Sequence, residues 1–462
     1  MINNDDDSLL NLQKAKDNYL SKDYQKSLLY IIKYLKLYPN NFEGLLLKSK
    51  IYSGLKNYPK SIQTFEKCLT LNSKCIEAIY GQAKCFKELK FYKEAIEKYR
   101  NIIELEPSAK LYNSIGACLY CMGHKEEAIC QYNIAIQLDQ NYTAAYFNKG
   151  ICLSNLDKKD DAISQYNKAI ELNNNYVDAY FQRGYCYYSL GRLKEAIIEM
   201  NKVIELDNNY PQAYFERGSC YIKLERFDEA ILEISKAIEL SPNFINAYFQ
   251  RGYCYSKMRK FKEAILDYQK AIELDNSSQE TYFRLGLCYM ELKQNLNAIE
   301  MFDNVIKLNR TFVDAYYNKG LCLSKLGRFE EAIFNYNFIL SYDRKNLIKS
   351  SDISVYYNKA ICLMKLERFT EAINMLNNVI EIKNNFYDAY SKRAMCLYLC
   401  EKFEEAISDF DLYINYMEKH KHKKNLDFYV MRANCYLKIK KENEAMQNLD
   451  EFCLTTIKNK FI

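Results

Sequence analysis

The chain has 462 residues, with 65 basic and 59 acidic side chains and a formal charge of +6. So close a balance gives no global field of the kind that draws a protein onto nucleic acid or an anionic membrane. Five prolines and 13 glycines leave little turn material for a sheet-rich fold and favour helices joined by short turns. Residues 1–7 are polar and acidic and read as an N-terminal tail, with neither the positive start nor the apolar stretch of a secretory signal. No apolar run is long enough to cross a bilayer, so membrane insertion is not expected. The expected compartment is intracellular, the cytoplasm first, with nucleus and cilium also open. Seventeen cysteines in such a setting are expected to be reduced thiols.

From residue 8 onward the chain repeats itself every 34 residues, most clearly in the segments that begin at Ala179 and Ala247. A small residue recurs at Ala15, Ser49, Ala83, Gly116, Gly150 and so on to Ala433, and a second follows twelve residues after each, from Ser27 and Ser61 to Ala445. Two antiparallel helices approach closely only where their crossing carries a small side chain, with large residues filling the space around it. In the unit that starts at Val177, Tyr180, Tyr187 and Leu190 share one face of a first helix, while Leu193, Ile197, Met200, Ile204 and Leu206 supply the second. Thirteen such units tile residues 8–459, starting near 8, 42, 76, 109, 143, 177, 211, 245, 279, 313, 353, 387 and 426, with 460–462 left as a C-terminal end. One hairpin cannot offset an ordering cost of about 1.5 kcal/mol per residue, so each unit is stable only when stacked on its neighbours.

This pattern resembles the tetratricopeptide repeat family: a large residue at unit position 4, a small one at 8, an aromatic at 11, Ala at 20, Ala or Val at 27 and often Pro at 32. Tyr stands at position 4 where Trp is usual, and Pro survives at position 32 only as Pro39, Pro107 and Pro242. The resemblance implies an all-α fold, a right-handed superhelical solenoid of tandem antiparallel helical hairpins. It also implies that the first helices line a concave groove for peptides or partner helices.

In the first three repeats Lys16, Lys50 and Lys84 stack at position 9, with Lys22, Lys56 and Lys90 at the ends of the first helices. Together they read as a basic stripe suited to an acidic peptide. A co-chaperone of this family would carry a carboxylate clamp. No triplet of repeats has one, and position 5 of the first three is Leu12, Leu46 and Tyr80. The fourth repeat holds a CxxC, Cys118 and Cys121, inside a helix. Eleven cysteines, Cys118 among them, stand two residues after the small position, one per repeat from Cys85 to Cys435. Stacked helices 8–10 Å apart are too distant for disulfides, and one thiol per repeat cannot converge on a zinc ion, so these read as small buried hydrophobes. With three histidines in the chain and no phosphate-binding glycine loop, no catalytic, cofactor or metal site is expected, nor a small-molecule substrate.

From the fifth repeat to the eleventh, position 5 is always aromatic: Phe147, Phe181, Phe215, Phe249, Phe283, Tyr317 and Tyr357. On a groove wall such rings make binding anchors; packed sideways they hold neighbouring repeats together. Beside them position 6 forms a polar ladder of Asn148, Gln182, Gln250, Asn318 and Asn358, interrupted by Glu216 and Arg284. It is similar to the asparagine ladder in the repeat region of O-GlcNAc transferases, where amides grip a peptide backbone. Two insertions break the period, around Ser341 to Asp352 and around Lys419 to Leu426, the second basic and containing His420 and His422; both read as extended turns, and nucleic-acid binding is not expected. In the last repeat Leu449, Phe452, Leu454 and Ile457 make an apolar face that could serve self-association. The partners expected are thus proteins or peptides. The expected role is a scaffold or adaptor in a multiprotein complex, with a non-catalytic substrate-selecting or regulatory subunit of a glycosyltransferase or ubiquitin ligase as the alternative.

Overall fold

The computed structural model describes residues 3–342, 352–420 and 426–458, and among them it shows helices and turns but no strand. Twenty-six helices fit thirteen tandem repeats, a first and a second helix in each. The first helix of all, Asn3–Leu20, reaches into the segment read from the sequence as a polar tail. A run of acidic residues suits the opening turns of a helix, because the macrodipole favours negative charge there. The helices divide into two compact units, Met1–Arg226 and Phe227–Ile462. Within each, first helices pack against the second helices of their own repeats and second helices against the next first helix, the division falling between the two helices of the seventh repeat.

Close approach within a hairpin follows from the small residues. A Cβ added to Gly150 would lie 2.5 Å from the Tyr166 ring, and one added to Gly286 would lie 2.7 Å from Phe302. Tyr132, Tyr166, Tyr268, Phe302 and Tyr336 are accordingly among the largest fully buried side chains. Where serine takes the second small position it also bonds across the crossing: Ser27 donates to the Ala15 carbonyl at 2.7 Å and Ser61 to that of Ser49 at 2.8 Å.

The turn inside each repeat has one backbone form. Its key residue has a left-handed φ in all thirteen repeats, glycine at Gly123, Gly191 and Gly327 and a side-chain-bearing residue at the other ten, Lys22, Lys56 and Lys90 among them. The next amide bonds back to a carbonyl five residues earlier, as in Asn57 N to Tyr52 O at 2.9 Å, which closes the helix end. These lysines therefore sit in turns rather than on the stripe. Several junctions between repeats carry a side-chain turn instead, with Asp139, Asn173, Asp207, Asp275 and Asn309 each accepting from the amide two residues on.

All eleven cysteines of the ladder are buried, whereas Cys121 and Cys130 are exposed. Burial pushes the thiols of Cys152, Cys220 and Cys254 up to about 12, far from the thiolate needed for chemistry. Three of the eleven donate to serine hydroxyls, Cys85 to Ser61, Cys186 to Ser154 and Cys362 to Ser324, at 3.3–3.5 Å. No group of three or more His, Cys, Asp or Glu among the described residues could hold a metal ion. No helix among them is long and apolar enough to cross a membrane.

Candidate partner-binding site

The lysine stripe of the first unit is largely neutralised from within. Lys16 pairs with Glu43 and Lys50 with Glu77, each at 2.6 Å, so position 9 of one repeat meets position 2 of the next. At the third step the register brings Lys110 where a glutamate would be, and Lys84 forms no ion pair. The ammonium of Lys110 lies over the Tyr80 ring, 4.6 Å from its centre.

Two cavities open on these same first helices. One, of about 430 Å³, is lined by Lys16, Tyr19, Leu46, Lys50 and Glu77 among others. A second, of about 380 Å³, is lined by Tyr19, Tyr24, Tyr80 and Lys84, with glycine at 54 and 81. Gly81 stands at position 6, where later repeats carry amides, and a Cβ there would fall 2.2 Å from the Phe65 ring. The missing side chains at these two places let the Phe65 and Tyr24 rings of the cavity wall approach the first helices closely.

The position-5 aromatics are engaged in packing. Phe147 stacks 4.9 Å from Tyr176 and 5.9 Å from Tyr166. The pattern repeats in Phe181 with Tyr210 at 5.3 Å, Phe249 with Tyr268 at 5.7 Å, and Phe283 with Phe302 at 5.8 Å and Phe312 at 5.0 Å. Tyr317 meets Tyr336 at 6.3 Å and Tyr357 meets Phe386 at 5.2 Å, and all seven aromatics, Phe215 included, are half-buried. A ring at position 5 thus meets the ring at position 24 of its own second helix or the ring that ends its repeat.

The amide ladder divides. Asn148 donates to Asn113 at 2.9 Å, Asn318 to the Asp314 carbonyl at 2.8 Å and Asn358 to the Tyr317 hydroxyl at 3.1 Å. Gln182 and Gln250 are half-buried and keep their amides free of such bonds. Glu216, on the same row, has its carboxyl pushed up to about 7 by burial, against the pull of the Lys223 ammonium. Nearby on the first helices of the first unit, Tyr185 is 42% exposed, and Lys223 sits 3.7 Å above the Tyr188 ring. In the last repeat Leu449 is 39% exposed; Phe452, Leu454 and Ile457 lie outside the residues whose side chains are described, as do His422 and most of both insertions.

One constellation escaped the reading of the sequence. Position 7, just before the small residue, carries a cation in repeat after repeat, and the structure closes it into a staple. Arg251 forms a fork with Asp267 of its own second helix at 2.7 and 2.8 Å and also donates to Ser235 of the preceding one at 2.9 Å. Arg183 does the same with Glu199 and Asn167, and Arg393 with Asp409 and Asn377. The signal was present as a Lys or Arg at 34-residue spacing. It was hidden because an acid sixteen residues ahead and an amide sixteen residues behind are meaningful only once helices are stacked.

Models of the tetratricopeptide repeat match residues 42–75, 211–244, 245–278, 279–312, 313–346 and 353–386, and a further TPR repeat model matches 155–191 and 184–224. Together they cover more than half of the chain, which therefore belongs to the tetratricopeptide repeat family. A fold of this family is in general a non-catalytic scaffold for protein interactions. Among solved structures the chain is similar to YrrB, described as a TPR protein with an unusual peptide-binding site, at 25% identity over 41% of this chain and 97% of that one, TM-score 0.37. It is also similar to the C-terminal part of a TPR repeat-containing protein from Cytophaga hutchinsonii, at 23% identity over 52% and 98%, TM-score 0.44. The Cut9–Hcn1 structure of the APC/C matches at 15% identity over 92% and 95%, TM-score 0.37. No curated protein sequence matches the chain.

Proposed function

We propose that this protein is a scaffold or adaptor subunit that holds a segment of a protein partner against its first helices, with the cavities of the first unit as the seat. The observation that carries this reading is that Lys84, which forms no ion pair, lines the 380 Å³ cavity, where the one carboxylate, Glu77, is taken up by Lys50, while Lys110 of the next repeat lies over the ring of Tyr80 in the cavity wall. Tyr19, Tyr24 and Tyr80 offer rigid amphipathic walls, which bury area at low entropic cost. An acidic group beside an apolar side chain is the segment these features fit. The position-5 aromatics from Phe147 onward are engaged in packing with rings of their own repeats rather than offered as anchors, whereas Gln182 and Gln250 remain available to a peptide backbone.

The test is affinity purification with quantitative mass spectrometry, using the whole chain and a Lys84→Glu, Lys110→Glu variant. Both lysines are exposed, so the variant is expected to fold and to lose its specific partners at least about tenfold, as reversal of complementary charge does. Partners recovered at unchanged levels would overturn the assignment of the seat. A catalytic chain among the recovered partners would make the protein a substrate-selecting subunit of that enzyme.

A further inference from the structure

The net charge of the protein is concentrated in one short stretch. Residues 24–75 hold nine lysines and two glutamates, an excess larger than the +6 of the entire chain. Only Lys26 and Lys50 of the nine form ion pairs, with Asp23 and Glu77. Of the two glutamates, Glu43 serves Lys16 and Glu66 accepts a long hydrogen bond from Gln82 at 3.5 Å.

The centre of this excess is Lys48. It stands at position 7, the staple position, yet the staple is absent there. Thr64 occupies the place of the acid, and its hydroxyl is turned to the Lys60 carbonyl at 2.7 Å. Ile32 occupies the place of the amide on the preceding second helix and is 37% exposed. Lys48 is half-buried all the same. The ammonium groups of Lys48 and Lys60 lie 5.8 and 5.9 Å from the centre of the Tyr52 ring. Burial first, and then the nearby Lys67 and Lys60, depress the basicity of Lys48. Half-buried charge without a counter-ion is costly, and an external anion is the remaining way to compensate it. One repeat earlier another ring lies near two ammonium groups, with Lys14 and Lys33 at 5.6 and 5.8 Å from Tyr30 on the second helix. On the helix that carries Tyr30 and Lys33, Leu29 is 63% exposed and Ile32 is partly so.

We infer that Lys48, Lys60 and Lys67, with Lys14 and Lys33 beside them, form a second docking surface for an acidic protein segment whose carboxylates alternate with aliphatic side chains. Charge complementarity selects the acid, and Leu29 and Ile32 select the aliphatic residues. A nucleic acid would call for exposed rings to stack on and for arginine forks, but Tyr30 and Tyr52 are half-buried under ammonium groups and the stretch has no arginine. The surface shares none of its five lysines with the 380 Å³ cavity and stands or falls independently of it.

The test is fluorescence anisotropy of the full chain with a labelled peptide of alternating Glu and Leu. Binding that weakens with salt is expected, together with a loss of at least about tenfold in Lys48→Gln, Lys60→Gln, Lys67→Gln. Full affinity is expected in a control that replaces Lys202, Lys236 and Lys270, already paired with Glu205, Glu239 and Glu273. Circular dichroism verifies that each variant is folded. No binding by the unmodified chain, or equal binding by the triple variant and the control, overturns the inference. So does tighter, equally lysine-dependent binding to phosphatidylserine vesicles or to duplex DNA, which would assign the surface to a membrane or a nucleic acid.

Discussion

At the scale of single residues, the left-handed turn shows how much strain the repeats absorb. A side chain at φ near +60° crowds the following carbonyl, at a cost of about 1 kcal/mol that glycine avoids. Lys56, at φ 58°, is exposed, so Lys56→Gly is expected to stabilise the chain by about 0.5–1 kcal/mol, read as a higher midpoint in urea unfolding. Glu216 supplies a dependence on pH. Its folded carboxyl titrates near 7 against an ordinary value of about 4.3, so folding favours the protonated form. Stability from this group is full below the ordinary value and declines as pH rises to about 7, above which it is level. Glu216→Gln is therefore expected to raise the melting temperature at pH 8 and to leave it unchanged at pH 4; equal shifts at both would refute the assignment. None of this was legible beforehand, because the sequence shows the glutamate but not what covers it.

At the scale of the element, the sequence displayed the hairpins clearly, since the two small series mark both sides of each helix crossing. Ser27 and Ser61 bond across that crossing to the residues twelve positions earlier. The aromatic row was ambiguous for a physical reason: position 5 lies at the border between the groove and the neighbouring repeat, and the partner rings, such as Tyr176 for Phe147, sit 29 residues away. The staple is the element-scale feature with the largest energetic consequence. Asp267 is almost fully buried, so Asp267→Ala leaves Arg251 bonded only to Ser235. A loss of about 3 kcal/mol is expected by chemical denaturation, with Asp267→Asn milder because one donor–acceptor contact survives. A change below about 0.5 kcal/mol would show that the fork contributes little.

For the molecule as a whole, stacked repeats make stability a sum of units and seams. Deleting residues 279–312, one full period within the second unit, joins Ser278 to Val313 in the register that Ser278 and Gln279 had before. The shortened chain is expected to fold cooperatively, with helical signal reduced in proportion to the 34 residues removed. Loss of most of the signal would show that the unit folds as an indivisible block. The near balance of charge over the whole chain concealed the local excess at residues 24–75, which stands out only when counted repeat by repeat and matched to ion pairs.

The staple also bears on how such a chain grows. Where the staple is complete, at Arg183, Arg251 and Arg393, the position-7 cation looks forward to an acid in its own repeat and back to an amide or hydroxyl in the one before, so such a repeat carries half of the seam on either side. A duplicated copy inserted anywhere along such a row arrives with both halves and completes two seams without any compensating change. The openings of the repeats at Ala179 and Ala247 are nearly identical, as insertion of such a copy would leave them. The first two repeats, where Lys14 and Lys48 have Tyr30 and Thr64 in place of the acid, are among those that do not complete the staple. Residues freed from holding neighbours together are there open to selection for something outside the chain.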